Sequence, residues 1–167
     1  MKKLLLSLAI VSMVSGCALF RSSNTDSGVT SETTASGGTV AVDSSMGFAA
    51  TGSDAGLIPG VQTVRFKYDS DVLSDGEQQK LEGNAQWLKT NSSAQLIIEG
   101  HCDQRGSTEY NLALGERRAN KVKQMLVGLG IAGNRLSTVS YGKERPLTRG
   151  ESESDLALNR RANFVAQ

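Results

Sequence analysis

Leu112, Gly115, Ala119, Val122, Leu126 and Leu129 recur at i, i+3, i+7, i+10, i+14 and i+17, one continuous face of a long helix. This pattern constrains the fold more than any other in the chain. Gly115 and Ala119 are small, so the helix can lie close on a sheet. Ser107 or Thr108 caps its start. Gly130 followed by Ile131 suits a C′ glycine with an apolar C″ residue. A β-type run, Leu96-Ile97-Ile98, leads towards the helix through a polar, Gly-containing turn. That turn presents Asp103, and Arg118 follows fifteen residues later on the helix.

The neighbouring segments extend this strand-turn-helix unit. Val64, Phe66 and Tyr68 alternate as in a strand. Ser74 and Glu77 fit a capping box, and Leu81, Ala85 and Leu88 then recur at helical spacing beside Trp87. Asn91-Ser92-Ser93 ends that helix, and Gln95 to Glu99 forms the second strand. Leu136 to Tyr141 reads as a third strand, Gly142 to Pro146 as a loop and Asp155 to Arg160 as a short helix. Ala162 to Ala166 closes the chain as a fourth strand. The order is β-α-β-α-β-β, an α+β fold with a mixed four-stranded sheet and helices packed on one face. Strands joined through helices pair in parallel, and the last strand adds antiparallel. Residues 61–167 suffice for one adequate core.

The N-terminal third carries a different signal. Lys2 and Lys3 precede an apolar run of eleven residues, Leu4 to Val14, too short to cross a bilayer as an ordinary helix. Val14-Ser15-Gly16-Cys17 looks like a lipobox, at which a bacterial lipoprotein is lipidated on Cys and cleaved before it. The alternative is a plain secretory signal with an incidental Cys. The lipobox divides the chain into a removed signal peptide (1–16), a lipidated Cys17 with a linker (17–60) and a folded domain (61–167). Losing Lys2 and Lys3 leaves 16 basic against 17 acidic residues. In 18–60, 21 of 43 residues are Ser, Thr or Gly without sustained apolar period, a composition that cannot bury enough surface to fold. Such a coil spans roughly 35–40 Å on average, the reach of a tether.

The formal net charge of +1 provides no basic field for nucleic acid. Two cysteines make no disulfide framework. A single His, His101, leaves no second imidazole for catalysis and no His-based metal cluster. A hydrolase would need a nucleophile-base pair, yet His101 and Cys102, as adjacent strand residues, point to opposite faces. The chain therefore calls for no cofactor and no metal, and it does not read as an enzyme. Asp103 and Arg118, facing one pocket, suit a ligand that carries both an ammonium and a carboxylate.

Gly100-His101-x-Asp103, Gly106, Tyr110-Asn111, Leu114 and Arg118-Ala119 resemble the OmpA-like peptidoglycan-binding domain. Ser140-Tyr141-Gly142-Lys143-Glu144-Arg145-Pro146 and Asn159-Arg160-Arg161-Ala162 continue the resemblance, which covers 61–167. With the lipobox, the chain is similar to the peptidoglycan-associated lipoprotein family of the Tol-Pal system. The resemblance implies an outer-membrane lipoprotein anchored by acyl chains, palmitate among them, on Cys17. Its domain faces the periplasm and holds peptidoglycan non-covalently. The residue after the Cys, Ala18, agrees with outer-membrane sorting. The implied ligand is the meso-diaminopimelate of the stem peptide, bound by Asp103 and Arg118, with Leu114, Tyr68 and Asp69 lining the pocket. The implied partners are TolB, other Tol proteins and the cell wall, in support of envelope integrity and constriction at cell division. An envelope-anchoring lipoprotein of the same domain type without Tol partners is the alternative.

Each of these residues also has a plainer reading. Asp103 can order its turn, Arg118 can be a solvated helix-face charge, and Leu114 can be core. Tyr68 can be half-buried sheet surface. His101 reads as structural, and Asn159, Arg160 and Arg161 as ties for the last strand. Cys102 stands where the family usually has Thr or Ala, either a buried inert thiol or a redox-sensitive one.

Overall fold

In the second strand, β2 (Leu96–His101), alternate side chains face opposite sides of a sheet, and both sides are covered. The computed structural model describes residues 50–167. Its other main elements are β1 (Val64–Arg65), α1 (Asp75–Thr90), α2 (Thr108–Gly128), β3 (Leu136–Gly142), α3 (Glu153–Asn159) and β4 (Arg161–Ala166). The signal peptide, Cys17 and the linker as far as residue 49 lie outside the described residues. Among the described residues, no helix is long and apolar enough to cross a membrane.

The sheet is mixed and four-stranded, in the order β1-β4-β2-β3. β2 and β3 are parallel, while β4 runs antiparallel to both β1 and β2. The final strand therefore sits inside the sheet rather than at its edge. Its sequence, Arg161-Ala162-Asn163-Phe164, reads as half polar. It is nevertheless buried on both faces, because Arg161 and Asn163 find partners of their own. β1 is shorter than the alternation to Tyr68 implies. After Phe66, whose N–H bonds to the carbonyl of Arg160, the chain turns away, and Asp69 adopts φ 49°.

One side of the sheet supplies Val64, Leu96, Ile98, Leu136, Ala162 and Phe164 to the core. Leu81, Ala85 and Leu88 of α1 and Ala119, Val122 and Leu126 of α2 pack on them. Burying a side chain of this size contributes roughly 1.5–3 kcal/mol. α2 lies close to β2 through two glycines. A Cβ on Gly100 would stand 1.9 Å from the Gly115 carbonyl oxygen, and one on Gly115 would stand 2.9 Å from that of Gly100.

The ends of α2 follow the sequence closely. The Ser107 hydroxyl accepts the Tyr110 N–H, and Gly130, at φ 93°, closes the C-terminus. The N–H groups of Gly130 and Ile131 return to the carbonyls of Val127 and Leu126, a Schellman pairing. The apolar face departs from expectation at its start. Leu112 is 40% exposed, and Asn111, Leu114 and Arg118 turn inward instead. Asn111 can do so because its amide donates to the carbonyls of Arg105 and Ser107.

The capping box at α1 does not form. Ser74 occupies the N-cap position without a side-chain bond, while the Glu77 carboxylate accepts the Arg65 N–H at 2.8 Å and ties α1 to β1. Part of the expected linker is also folded. Gly52–Ala55 forms a 3-10 turn on the sheet face opposite the helices. There Asp54 pairs with Arg161 at 2.6 Å, and Ser53 accepts the Phe164 N–H at 3.0 Å. Residues 50–60 thus belong with the domain rather than with the linker assigned to 17–60.

Candidate functional site

The pocket forms where β2 ends and α2 begins. β2 delivers Cys102 and Asp103 just past its last residue, and the first three turns of α2 deliver Tyr110, Leu114 and Arg118. The loop after β1 brings Tyr68 and Asp69. All five residues expected to bind ligand, Asp103, Arg118, Leu114, Tyr68 and Asp69, line this one pocket, which encloses about 380 Å³ of empty space open to solvent.

Asp103 is buried and doubly held. Arg105 forks onto both of its carboxylate oxygens, and Arg160 donates to Oδ2 at 3.1 Å. Burial pushes the carboxyl group's pKa up, but the hydrogen bonds from Arg105 and Arg160 outweigh it and hold the pKa below the usual range. Asp103 is therefore an ionised acceptor. It also accepts the Arg105 backbone N–H at 3.2 Å, so it orders its turn as well.

Arg118 is not a solvated helix-face charge. It is fully buried, and its guanidinium donates to the carbonyls of Ser70 at 2.9 Å, His101 at 2.8 Å and Lys67 at 3.1 Å. A fourth N–H points to the Cys102 sulfur at 3.3 Å. Of five guanidinium donors, one on Nη2 remains without a partner among the described residues. Arg118 thus fastens the 67–70 loop to the end of β2 and offers the pocket a single donor, not a bidentate fork.

Leu114 is buried outside the main apolar cluster, as a wall of the pocket. Tyr68 is exposed, and the Arg105 guanidinium lies 3.8 Å from its ring centroid. Asp69 accepts a short hydrogen bond from the Tyr110 hydroxyl, and this bond raises the phenol's pKa. Cys102 is a buried thiol that donates to the Asn111 carbonyl, and burial pushes its pKa up. Its protonated state is the unreactive one.

Arg105, Arg160 and Tyr110 belong to the site beyond the five expected residues. Arg105 lies in the same turn as Asp103, and that proximity is its signal in the sequence. Arg160 gives no such signal, because only the return of the chain before β4 brings it to Asp103. Among the described residues, no cluster of three or more His, Cys, Asp or Glu side chains is placed to hold a metal.

The pocket therefore combines buried acidic and basic groups at a strand-to-helix turn, and residues 65–160 match the OmpA family model. The chain belongs to the OmpA family. Its relatives include peptidoglycan-associated lipoproteins. That of Haemophilus influenzae is 36% identical over 162 residues, 97% of each chain. Those of Legionella pneumophila and Pseudomonas aeruginosa are each 43% identical, over 64% and 67% of this chain. The matched segments span 61% and 66% of those two proteins' own lengths. The crystal structure of the peptidoglycan-associated lipoprotein from Burkholderia pseudomallei superposes with a TM-score of 0.61 at 42% identity. That match covers 63% of this chain and 89% of that one. The C-terminal domain of Helicobacter pylori MotB, at 22% identity and a TM-score of 0.60, shares the fold. This OmpA family member is a structural domain, not an enzyme.

Proposed function

We propose that this protein is an outer-membrane lipoprotein that binds peptidoglycan non-covalently and tethers the outer membrane to the cell wall. The observation that carries this reading is the convergence of Asp103, Arg118, Leu114, Tyr68 and Asp69 on one pocket. The ligand group is the free end of meso-diaminopimelate, with its ammonium and its carboxylate. Asp103, ionised and buried, receives the ammonium in charge-assisted hydrogen bonds. The spare Arg118 donor and the exposed Arg105 receive the carboxylate. Arg105 spans both roles, because its partly exposed guanidinium sits at the pocket mouth and can swing from Asp103 to the carboxylate as the ammonium enters. Leu114 packs along the methylene chain between the two charged ends. A lipidated Cys17 holds the other end of the tether in the outer membrane, with the domain in the periplasm.

The relatives' names and the full-length match to the Haemophilus influenzae protein support this reading. The sequence resemblance extends the reading to a place in a Tol-Pal system, with TolB as partner and a role in envelope constriction at cell division. Co-sedimentation of the full-length protein with purified sacculi tests the wall-binding role. Asp103→Ala abolishes pelleting while circular dichroism shows a folded domain; pelleting at the wild-type level would refute the site. Pulldown with TolB tests the partnership separately.

A further inference from the structure

A second cluster of polar side chains lies on the sheet face opposite the helices, away from the first pocket. Glu99, His101, Arg145 and Arg161 line a cleft there, with Thr51 and Leu147, and it encloses about 620 Å³ of empty space open to solvent. His101 is 1% exposed, and neither ring nitrogen has a hydrogen-bond partner among the described residues. Its Nε2 stands 3.6 Å from the Glu99 carboxylate, beyond hydrogen-bond reach. Burial lowers the imidazole pKa, so the ring is neutral and presents one donor and one acceptor. Buried polar atoms rarely go without a partner.

The formal charges around the cleft sum to zero. Arg161 pairs with Asp54, while Glu99 and Arg145 carry one unpaired charge of each sign. Arg145 lies exposed at the rim with its guanidinium 3.8 Å from the Tyr141 ring centroid, and it has no ion-pair partner among the described residues. A cation would meet Arg145 and an anion would meet Glu99, so neither sign is favoured. The groups on offer are an acceptor carboxylate, a donor guanidinium and an imidazole that does both. Hydroxyl groups, which donate and accept at once, complement all three.

We propose that Glu99, His101 and Arg145 form a second binding site, on the face opposite the helices, for a neutral ligand bearing adjacent hydroxyls, that is, a carbohydrate. The site does not depend on the stem-peptide reading, since it shares no residue with the Asp103 pocket. The hydroxyls can come from a free sugar or from a glycan chain. Calorimetric titration of the full-length protein with N-acetylglucosamine and with peptide-free chitotetraose separates the two. Binding of the monosaccharide identifies a free-sugar site; binding of the tetraose alone identifies a glycan site. Arg145→Ala, a surface change that leaves the core intact, weakens either by about tenfold, the loss expected for one charge-assisted hydrogen bond. His101→Phe, which keeps a ring without its nitrogens, weakens it similarly. Stem-peptide binding by Arg145→Ala stays at the wild-type level. No heat with either carbohydrate, or equal binding by wild type and both variants, overturns the proposal.

Discussion

Arg118 shows how burial changes the meaning of a residue. On a helical wheel it is a charge one turn after Leu114, and the expected clamp would use its whole guanidinium fork. In the fold three main-chain carbonyls and a sulfur take four of its five donors. Arg118→Ala therefore loses more than a ligand contact. It strips three carbonyls of their partner and opens a cavity, at a cost on the order of 3 kcal/mol. Urea unfolding is expected to show a markedly lower midpoint for Arg118→Ala, and an unchanged midpoint would contradict the anchoring role. Asp103 was legible as a site residue because its turn is polar, short and next to a strong helix signal. Arg118's anchoring role was not, because the carbonyls it binds belong to residues 67, 70 and 101, which no local pattern brings together.

At the scale of elements, the small residues of α2 matter more than its large ones. Gly115 faces Gly100 across the helix-strand contact, and a Cβ there would also meet the Ser140 hydroxyl at 2.3 Å. Gly83 in the middle of α1 faces open space. The same substitution should therefore act in opposite directions. Gly115→Ala is expected to destabilise the domain by about 1–3 kcal/mol through overpacking. Gly83→Ala is expected to stabilise it by about 0.5–1 kcal/mol, the helix-propensity gain at an unobstructed site. Thermal unfolding of the two variants checks both signs. The sequence displayed α2 almost completely, with its cap, small-residue face and Schellman end, because those signals are local. It misplaced Leu112 because the first turn of α2 faces the pocket, where Asn111 and Arg118 have polar partners to bury against.

At the scale of the whole molecule, the β-α-β-α-β-β order was legible, but the position of β4 inside the sheet was not. A strand containing Arg161 and Asn163 looks like an edge strand until its partners are known. Those partners are Glu99 and residues 51–54, a segment whose Thr-Gly-Ser composition matches that of the residues before it. The Asp54-Arg161 pair thus fixes this segment to the centre of the sheet. Asp54→Ala leaves a buried guanidinium uncompensated and is expected to cost about 3–5 kcal/mol. A loss below about 1 kcal/mol in chemical denaturation would show that the segment is only loosely attached.

The central claim is that one pocket reads both charges at the free end of diaminopimelate. The most direct test is calorimetric titration of the full-length protein with two stem peptides, one ending in meso-diaminopimelate and one in lysine. Lysine keeps the ammonium and lacks the second carboxylate. Binding of the diaminopimelate peptide at least about tenfold tighter, the worth of one charge-assisted hydrogen bond, is the result expected. Equal affinity for the two peptides would contradict the two-charge pocket.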